Sequence, residues 1–288
     1  MENYIITTDS SCDLKLSELE EKNIPVIYFR YTDGENVYVN DMNEGKFKEF
    51  YEMMRKGKNF KTSQINEIEY YNFFKEQLNK NQNIIHISLT EGLSNTINNA
   101  RSAAEKLMSE NVNANIKIID TKIACLGLAL IVEKAISYKN LSIDEAYDRL
   151  LGDVNHLNTY YTTDTLKYFA RGGRLSKVEA FIGGALRINP ILDCHKDGKL
   201  RVTAKVRGEK HALDYIVSKT KENVINPSEQ TLYICHADNI EKAKEVEERM
   251  RKEVGFKDYK TYFMGPTIGA HAGPGLVAVF YFGKPRSN

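Results

Sequence analysis

Along the first half of the chain, short β-branched runs alternate with stretches whose apolar residues recur at helical spacing. Residues 4–7, 25–31, 84–88 and 116–119 read as strands. After residues 84–88 the apolar positions fall at Ile97, Ala100, Ala104, Leu107 and Met108, one face of a helix. This alternation predicts a mostly parallel sheet with helices on both faces and functional groups in loops at the carboxyl ends of its strands. The polar segment 32–61 breaks the rhythm and reads as an excursion with one short helix, residues 46–56. Residues 123–132 are apolar all round, the mark of a helix buried on several faces. Ser142-x-x-Glu145 is a capping box, opening a helix that runs to about residue 155.

The second half has a different rhythm. Strand patterns occupy 159–162, 188–193, 200–205, 232–236, 259–263 and 276–282, and helical patterns fill 208–223 and 239–253. Asp197-Gly198 between two strands is a hairpin signal. The expectation is an α/β chain of two domains. Residues 1–156 form a mostly parallel α/β domain, and residues 157–288 an α+β domain with a largely antiparallel sheet.

Composition narrows the function classes. The 288 residues carry 40 Lys+Arg against 39 Asp+Glu, so no global positive field exists to attract nucleic acid. The longest apolar run, 123–132, is too short to cross a bilayer, and the first residues lack a signal-peptide pattern. The four cysteines are widely spaced, with no Cys-x-x-Cys pair, which suits a cytoplasmic protein with reduced thiols. The chain lacks a Gly-x-Gly-x-x-Gly fingerprint, a Walker loop and a Gly-x-Ser-x-Gly elbow. Its six histidines are scattered, and metal-ligand spacing is missing. No metal, cofactor or catalytic residue is expected.

Four polar clusters and one Arg-Gly segment remain. Residues 8–13, Thr-Asp-Ser-Ser-Cys-Asp, read as a turn with a helix cap or as the floor of a site at the sheet's edge. Thr62-Ser63-Gln64 precedes a helix beginning near Asn66, where hydroxyls usually cap. Ser94, at the start of an amphipathic helix, reads equally as a cap or as part of an anion site built with free backbone N–H groups. His271 stands in a Gly- and Pro-rich turn, a structural or a ligand-contacting position. Arg171-Gly172-Gly173-Arg174 reads as a helix end with Gly172 in the left-handed region.

Taken in order, these segments resemble the DegV family of bacterial lipid-binding proteins from Ile5 to Phe282. The resemblance rests on Thr8-Asp9-Ser10-Ser11, Thr62-Ser63-Gln64, Leu93-Ser94-Asn95-Thr96 and Ile119-Asp120-Thr121. It continues through Thr165-Leu166-x-Tyr168-x-x-Arg171-Gly172-Gly173-Arg174, Asn189-Pro190-Ile191-Leu192, Lys205-x-Arg207-Gly208 and Ile268-Gly269-x-His271-x-Gly273-Pro274-Gly275. It implies a two-domain protein of phospholipid metabolism that holds one long-chain fatty acid, such as palmitate, stearate or oleate, between its domains. It further implies a carrier without catalysis of its own, which presents the acid to the ATP-binding subunit of a fatty acid kinase.

The resemblance assigns Thr62, Ser63, Ser94, Asn95 and Thr96 to the carboxylate, with Arg174, His271 and Gly273 closing over it. Arg207 would face the kinase. Asn95 departs from the family, which usually has glycine there; Asn tolerates left-handed backbone but its side chain is placed to crowd the carboxylate. For the acyl tail, the helix at 123–132 and the apolar residues Phe181, Ile182, Leu186, Ile188, Ile191 and Leu192 offer walls. Two alternatives stay open. One is a dihydroxyacetone-kinase-like protein using His271 on a small ketone; the other is an interaction module without ligand.

Overall fold

The β-branched run at the start of the chain becomes β1 (Ile5–Asp9). In the computed structural model, which describes residues 3–175 and 188–286, β1 is an inner strand of a four-stranded parallel sheet. Its neighbours are β2 (Val26–Ile27), reached through α1 (Leu16–Glu21), and β6 (Asn83–Ser88), with β7 (Asn115–Asp120) beyond. Two helix pairs cover this sheet: α3 (Glu67–Leu78) with α4 (Thr96–Glu110), and α5 (Leu126–Ser137) with α6 (Ile143–His156). Ser142 and Glu145 form the expected reciprocal cap on α6.

The excursion holds more structure than expected. Residues 25–31 do not form one strand. The chain leaves the parallel sheet after Ile27 and enters β3 (Arg30–Thr32), the centre of a separate antiparallel sheet with β4 (Val37–Val39) and β5 (Lys61–Ser63). The switch is pinned where the Phe29 N–H donates to Ser10 Oγ at 2.9 Å. Strands this short and half-exposed show too little alternation to be seen from sequence. The helix of the excursion is α2 (Glu44–Arg55), capped by Asn43.

The later strands build a six-stranded sheet in the order β10-β9-β8-β13-β11-β12. These are β8 (Leu157–Thr162), β9 (Ile188–Cys194), β10 (Leu200–Arg207), β11 (Thr231–His236), β12 (Asp258–Phe263) and β13 (Val277–Phe282). Only β11 and β12 run parallel. Alternation sorts its two faces. Ile191, Ile234, Val277 and Val279 pack with residues of α8 (Glu209–Asn223) and α9 (Ile240–Glu253). Leu192, Cys235, Ala278 and Phe280 face the other way, into the core shared with the parallel sheet.

Helix α5 fills the space between the two sheets, touching β1 and β6 on one side and β8, β11 and β13 on the other. That contact explains why Leu126 through Val132 are all buried: each direction around the helix meets a sheet or another helix. Substituting Ile131, fully buried in α5, by alanine is expected to cost about 2–5 kcal/mol through the cavity it leaves. Leu151→Ala on the exposed face of α6 should cost about 0.5 kcal/mol or less. Urea denaturation curves of the two variants check the contrast.

Candidate functional site

A narrow slot lies between the loops at the carboxyl ends of the parallel strands and the α5-facing side of the six-stranded sheet. Its cavity is about 90 Å³, within about 810 Å³ of atom-free space once the open mouth is counted. Leu89 and Leu93 after β6, and Ile123 to Cys125 between β7 and α5, form one wall. Thr159, Tyr161, Cys194, Leu200, Ala278 and Phe280 form the opposite wall from four adjacent strands. The expected placement of functional groups at the carboxyl ends of the parallel strands therefore holds for the first wall.

The polar end is assembled from three places far apart in sequence. Thr62 and Ser63 on β5 come from the excursion, Ser94 from the loop before α4, and His271 from α10 (Pro266–Ala272). The excursion is docked for this purpose. Tyr51 Oη donates to Met264 O at 3.0 Å, and Asn40 Nδ2 donates to Thr267 Oγ1 at 2.8 Å, which fixes α10 against it. Thr62 Oγ1 then meets His271 Nε2 at 2.8 Å. Thr62 is thus no helix cap; Asn66 caps α3, in a capping box with Glu69. His271 sits in the last turn of a short helix rather than in the glycine-rich turn, which begins at Gly273.

Burial, helped by the Arg174 and Arg171 charges, pushes the His271 imidazole down to about 4, so the ring is neutral at pH 7. Its Nδ1 is buried without a hydrogen-bond partner. It lies so close to Gly172 that a Cβ there would come within 2.3 Å of Nδ1. Gly172 is therefore kept by close approach, with φ −73, while the left-handed position of this helix end is Gly173 at φ +71. That corrects the expected assignment by one residue. Arg174 ties the segment after α7 (Lys167–Arg171) to the loop before α4: its Nε donates to Leu93 O at 3.0 Å and its Nη1 to Gly172 O at 2.6 Å.

Not every residue singled out from sequence reaches the slot. Ser94 does, and its hydroxyl also accepts the Thr96 N–H at 3.3 Å, although the N-cap position of α4 is Asn95. Thr96 is buried and spends its hydroxyl on the Ile65 backbone, holding the end of the excursion against α4. Asn95 is exposed at φ −74 with its side chain accepting from Asn98, so it needs no left-handed backbone and crowds nothing in the slot. Gly273, at φ +77, packs against the Tyr168 ring, where a Cβ would come within 2.1 Å. It shapes the turn behind His271 and does not line the slot. Ile191 faces α8 and α9, so it is no wall of the slot. Phe181, Ile182 and Leu186 lie outside the described residues.

Arg207 ends β10, exposed on the edge strand. It stands at the end of the sheet where β8 finishes and β13 begins, the same end that carries α7 and α10. Residues 8–13 do not line the slot, and it is the turn-and-cap reading that the structure shows for them. Asp9 caps the 3-10 turn Ser10–Cys12 and accepts the Leu89 N–H at 3.0 Å, joining the ends of β1 and β6. Full burial raises its pKa despite these bonds.

Two features escape sequence reasoning because the fold alone assembles them. Asp13, Cys125 and Cys235 come together in the core with potential ligand atoms within 4.8 Å of one another, and the two sulfurs are 3.2 Å apart. Burial pushes the Asp13 carboxyl up to about 7. The other feature is the pair Thr159 and Tyr161, whose hydroxyls are buried on the apolar wall without regular hydrogen bonds. Among the described residues, no helix is long and apolar enough to cross a membrane.

Comparison with known proteins gives one consistent answer. A family model described as "Uncharacterised protein, DegV family" matches residues 3–284. A DegV domain-containing protein of Clostridium perfringens is 34% identical over 289 residues, covering 99% of each chain. Among solved structures, a DegV family protein of Ruminococcus gnavus with vaccenic acid superposes with a TM-score of 0.88 at 20% identity, over 97% of this chain and 100% of that one. A Bacillus subtilis structure described as "DegV, a fatty acid binding protein" gives a TM-score of 0.82 at 26% identity, over 99% and 100% of the two chains. With the family model spanning nearly the whole sequence and the fold in agreement, this chain belongs to the DegV family.

Proposed function

We infer that the protein is a carrier for one long-chain fatty acid, held with its tail in the slot and its carboxylate at the polar end. The observation that carries this reading is the shape and polarity of the slot: narrow, walled mostly by hydrocarbon, with Thr62, Ser63, Ser94, Arg174 and His271 gathered at one end. Burying roughly ten methylenes yields a gross term of about 8 kcal/mol. Association and ordering remove much of it, so a few head-group contacts suffice. A small ketone would leave this hydrocarbon wall unused. The likeness to the Bacillus subtilis fatty acid binding protein supports the same ligand class.

The carrier has no chemistry of its own in this reading. With the Arg174 guanidinium committed to Leu93 O and Gly172 O, a carboxylate oriented by hydroxyls, backbone N–H groups and a neutral imidazole is not locked in a strong buried ion pair and stays available to react. Ser63 is exposed at the mouth, so the polar end faces outward, where a separate cytoplasmic fatty acid kinase would phosphorylate it. Arg207 lies at that same end of the six-stranded sheet and is our choice for a kinase contact.

Native mass spectrometry of protein freshly made in bacteria should show one fatty acid per chain. The Thr62→Ala/Ser94→Ala double variant should retain about tenfold less, at unchanged circular dichroism. Unmodified retention in that variant removes the proposed head-group site, and an adduct-free wild type that takes up no added oleate or palmitate removes the whole reading.

The histidine gives a pH signature. Its folded pKa of about 4 lies below the ordinary value near 6.5, so the unfolded chain binds the proton first. The stability contributed by neutral His271 is full above pH 6.5 and is lost as the pH falls towards 4. Delipidated wild type should therefore lose about 1–2 kcal/mol more than His271→Gln between pH 7 and pH 5, by urea midpoints. Buried His86 and His236, also depressed, contribute to both proteins and cancel. Finally, Arg207→Ala should load lipid normally yet be a poorer substrate for a DegV-dependent fatty acid kinase; equal phosphorylation rates would refute the contact.

A further inference from the structure

The tail half of the slot is not wholly hydrocarbon. Thr159 and Tyr161 project from β8 to the slot, two residues apart and so on one face. They are 2% and 6% exposed, and neither Thr159 Oγ1 nor Tyr161 Oη has a regular hydrogen bond. The Tyr161 hydroxyl interacts with the Cys194 thiol, a weak acceptor, and Thr159 Oγ1 has no partner at all. A buried hydroxyl left unpaired costs about 1–3 kcal/mol, so one unpaired and one weakly paired hydroxyl on the same wall call for a partner inside the cavity.

Their position along the slot follows from the strand ladder. Thr162 pairs with Val277 at the end of the sheet that carries His271, whereas Thr159 pairs with Phe280 three residues deeper. At the rise of a strand this is about 10 Å from the polar mouth, well along an acyl chain. A second observation concerns what lies behind. Thr159 and Cys194 also line an adjoining pocket with Asp193, Arg201 and Arg286, where Asp193 Oδ1 and Arg201 Nε meet as an ion pair at 3.8 Å and Arg286 Nε is buried without a hydrogen bond. The deep end of the slot thus abuts polar groups, where a site built for a plain alkyl terminus would have hydrocarbon.

We propose that Thr159 and Tyr161 form an oxygen-recognising subsite, and that the preferred ligand is a long-chain acid bearing a hydroxyl or carbonyl oxygen on the far part of its chain. This rests on the fatty-acid reading above and narrows its substrate class. Each hydroxyl both donates and accepts, so a ligand hydroxyl satisfies both, and a ligand carbonyl accepts from both. A saturated chain of equal length fills the same volume and offers neither a partner.

The test is competition binding on the delipidated full chain, with stearic acid against hydroxystearic acids carrying the hydroxyl at successive mid-chain positions. One or two positional isomers should bind about tenfold more tightly than stearic acid. In Thr159→Val/Tyr161→Phe the ratio should fall to about one, whereas Thr159→Ser, which keeps the hydroxyl, should preserve it. Equal affinity for stearic and all hydroxystearic acids in the wild type overturns the subsite and leaves the carrier reading standing. A preference that survives in the double variant also overturns it. Failure to bind any of these acids overturns both.

Discussion

The structure depends on a helix that cannot face water. Leu126 to Val132 in α5 are buried in every direction, and only two sheets closing on the helix from opposite sides satisfy that requirement. The parallel sheet and the six-stranded sheet are held together by this shared apolar element more than by direct pairing, since among the described residues no strand of one bonds to a strand of the other. The slot is a consequence. A helix between two sheets fills the centre of their interface, and just ahead of its first turn, at Ile123 to Cys125, the sheets still stand apart. The space that α5 leaves is lined by the same kind of surface that α5 buries.

The polar end obeys a different constraint. Thr62, Ser94 and His271 are supplied by three segments, each of which must be held by contacts outside the site. Tyr51 and Asn40 tie the excursion to α10, Thr96 ties its end to α4, and Arg174 ties the helix end at 171–174 to the loop before Ser94. Most of these links are single hydrogen bonds to backbone carbonyls, each worth about 1 kcal/mol. The head-group end therefore rests on an array of weak ties, while the tail end rests on sheet and helix.

Much of this was legible before any coordinates. The strand and helix rhythm outside 25–31, the capping box at Ser142 and the buried helix within the apolar run at 123–132 each carry a local period or a local bond; the helix itself begins only at Leu126. The three-stranded excursion sheet was not legible, because β3, β4 and β5 have three residues each and no alternation to read. The pairing of Thr62 with His271 spans 209 positions, and neither residue carries a local signal of it. Asn95 and Thr96 are the reverse case, expected at the slot but absent from its lining. The resemblance assigned them to the carboxylate with Ser94, but consecutive residues at a helix start point in different directions: the Asn95 side chain is exposed and Thr96 bonds the Ile65 backbone.

The places where the molecule breaks ordinary packing rules coincide with the slot. Of the 12 buried polar atoms without partners among the described residues, three belong to residues lining it, Thr159, Tyr161 and His271, and three to residues of the pocket behind it, Asp193, Arg201 and Arg286. Several of the 12 have near partners: Tyr70 lies beside Thr96 and Ser88, Tyr161 beside Cys194, and Asp193 Oδ1 is 3.8 Å from Arg201 Nε, whereas Thr159 Oγ1 has none. A core selected for stability alone would replace Thr159 by valine and Tyr161 by phenylalanine, removing the two hydroxyls at nearly constant volume. Their presence on an otherwise apolar wall is a local cost without a folded-state return in the empty protein. Such a cost is expected where a site must meet a ligand's polar atom, and it points to the deep half of the slot as a second zone of recognition beside the carboxylate end.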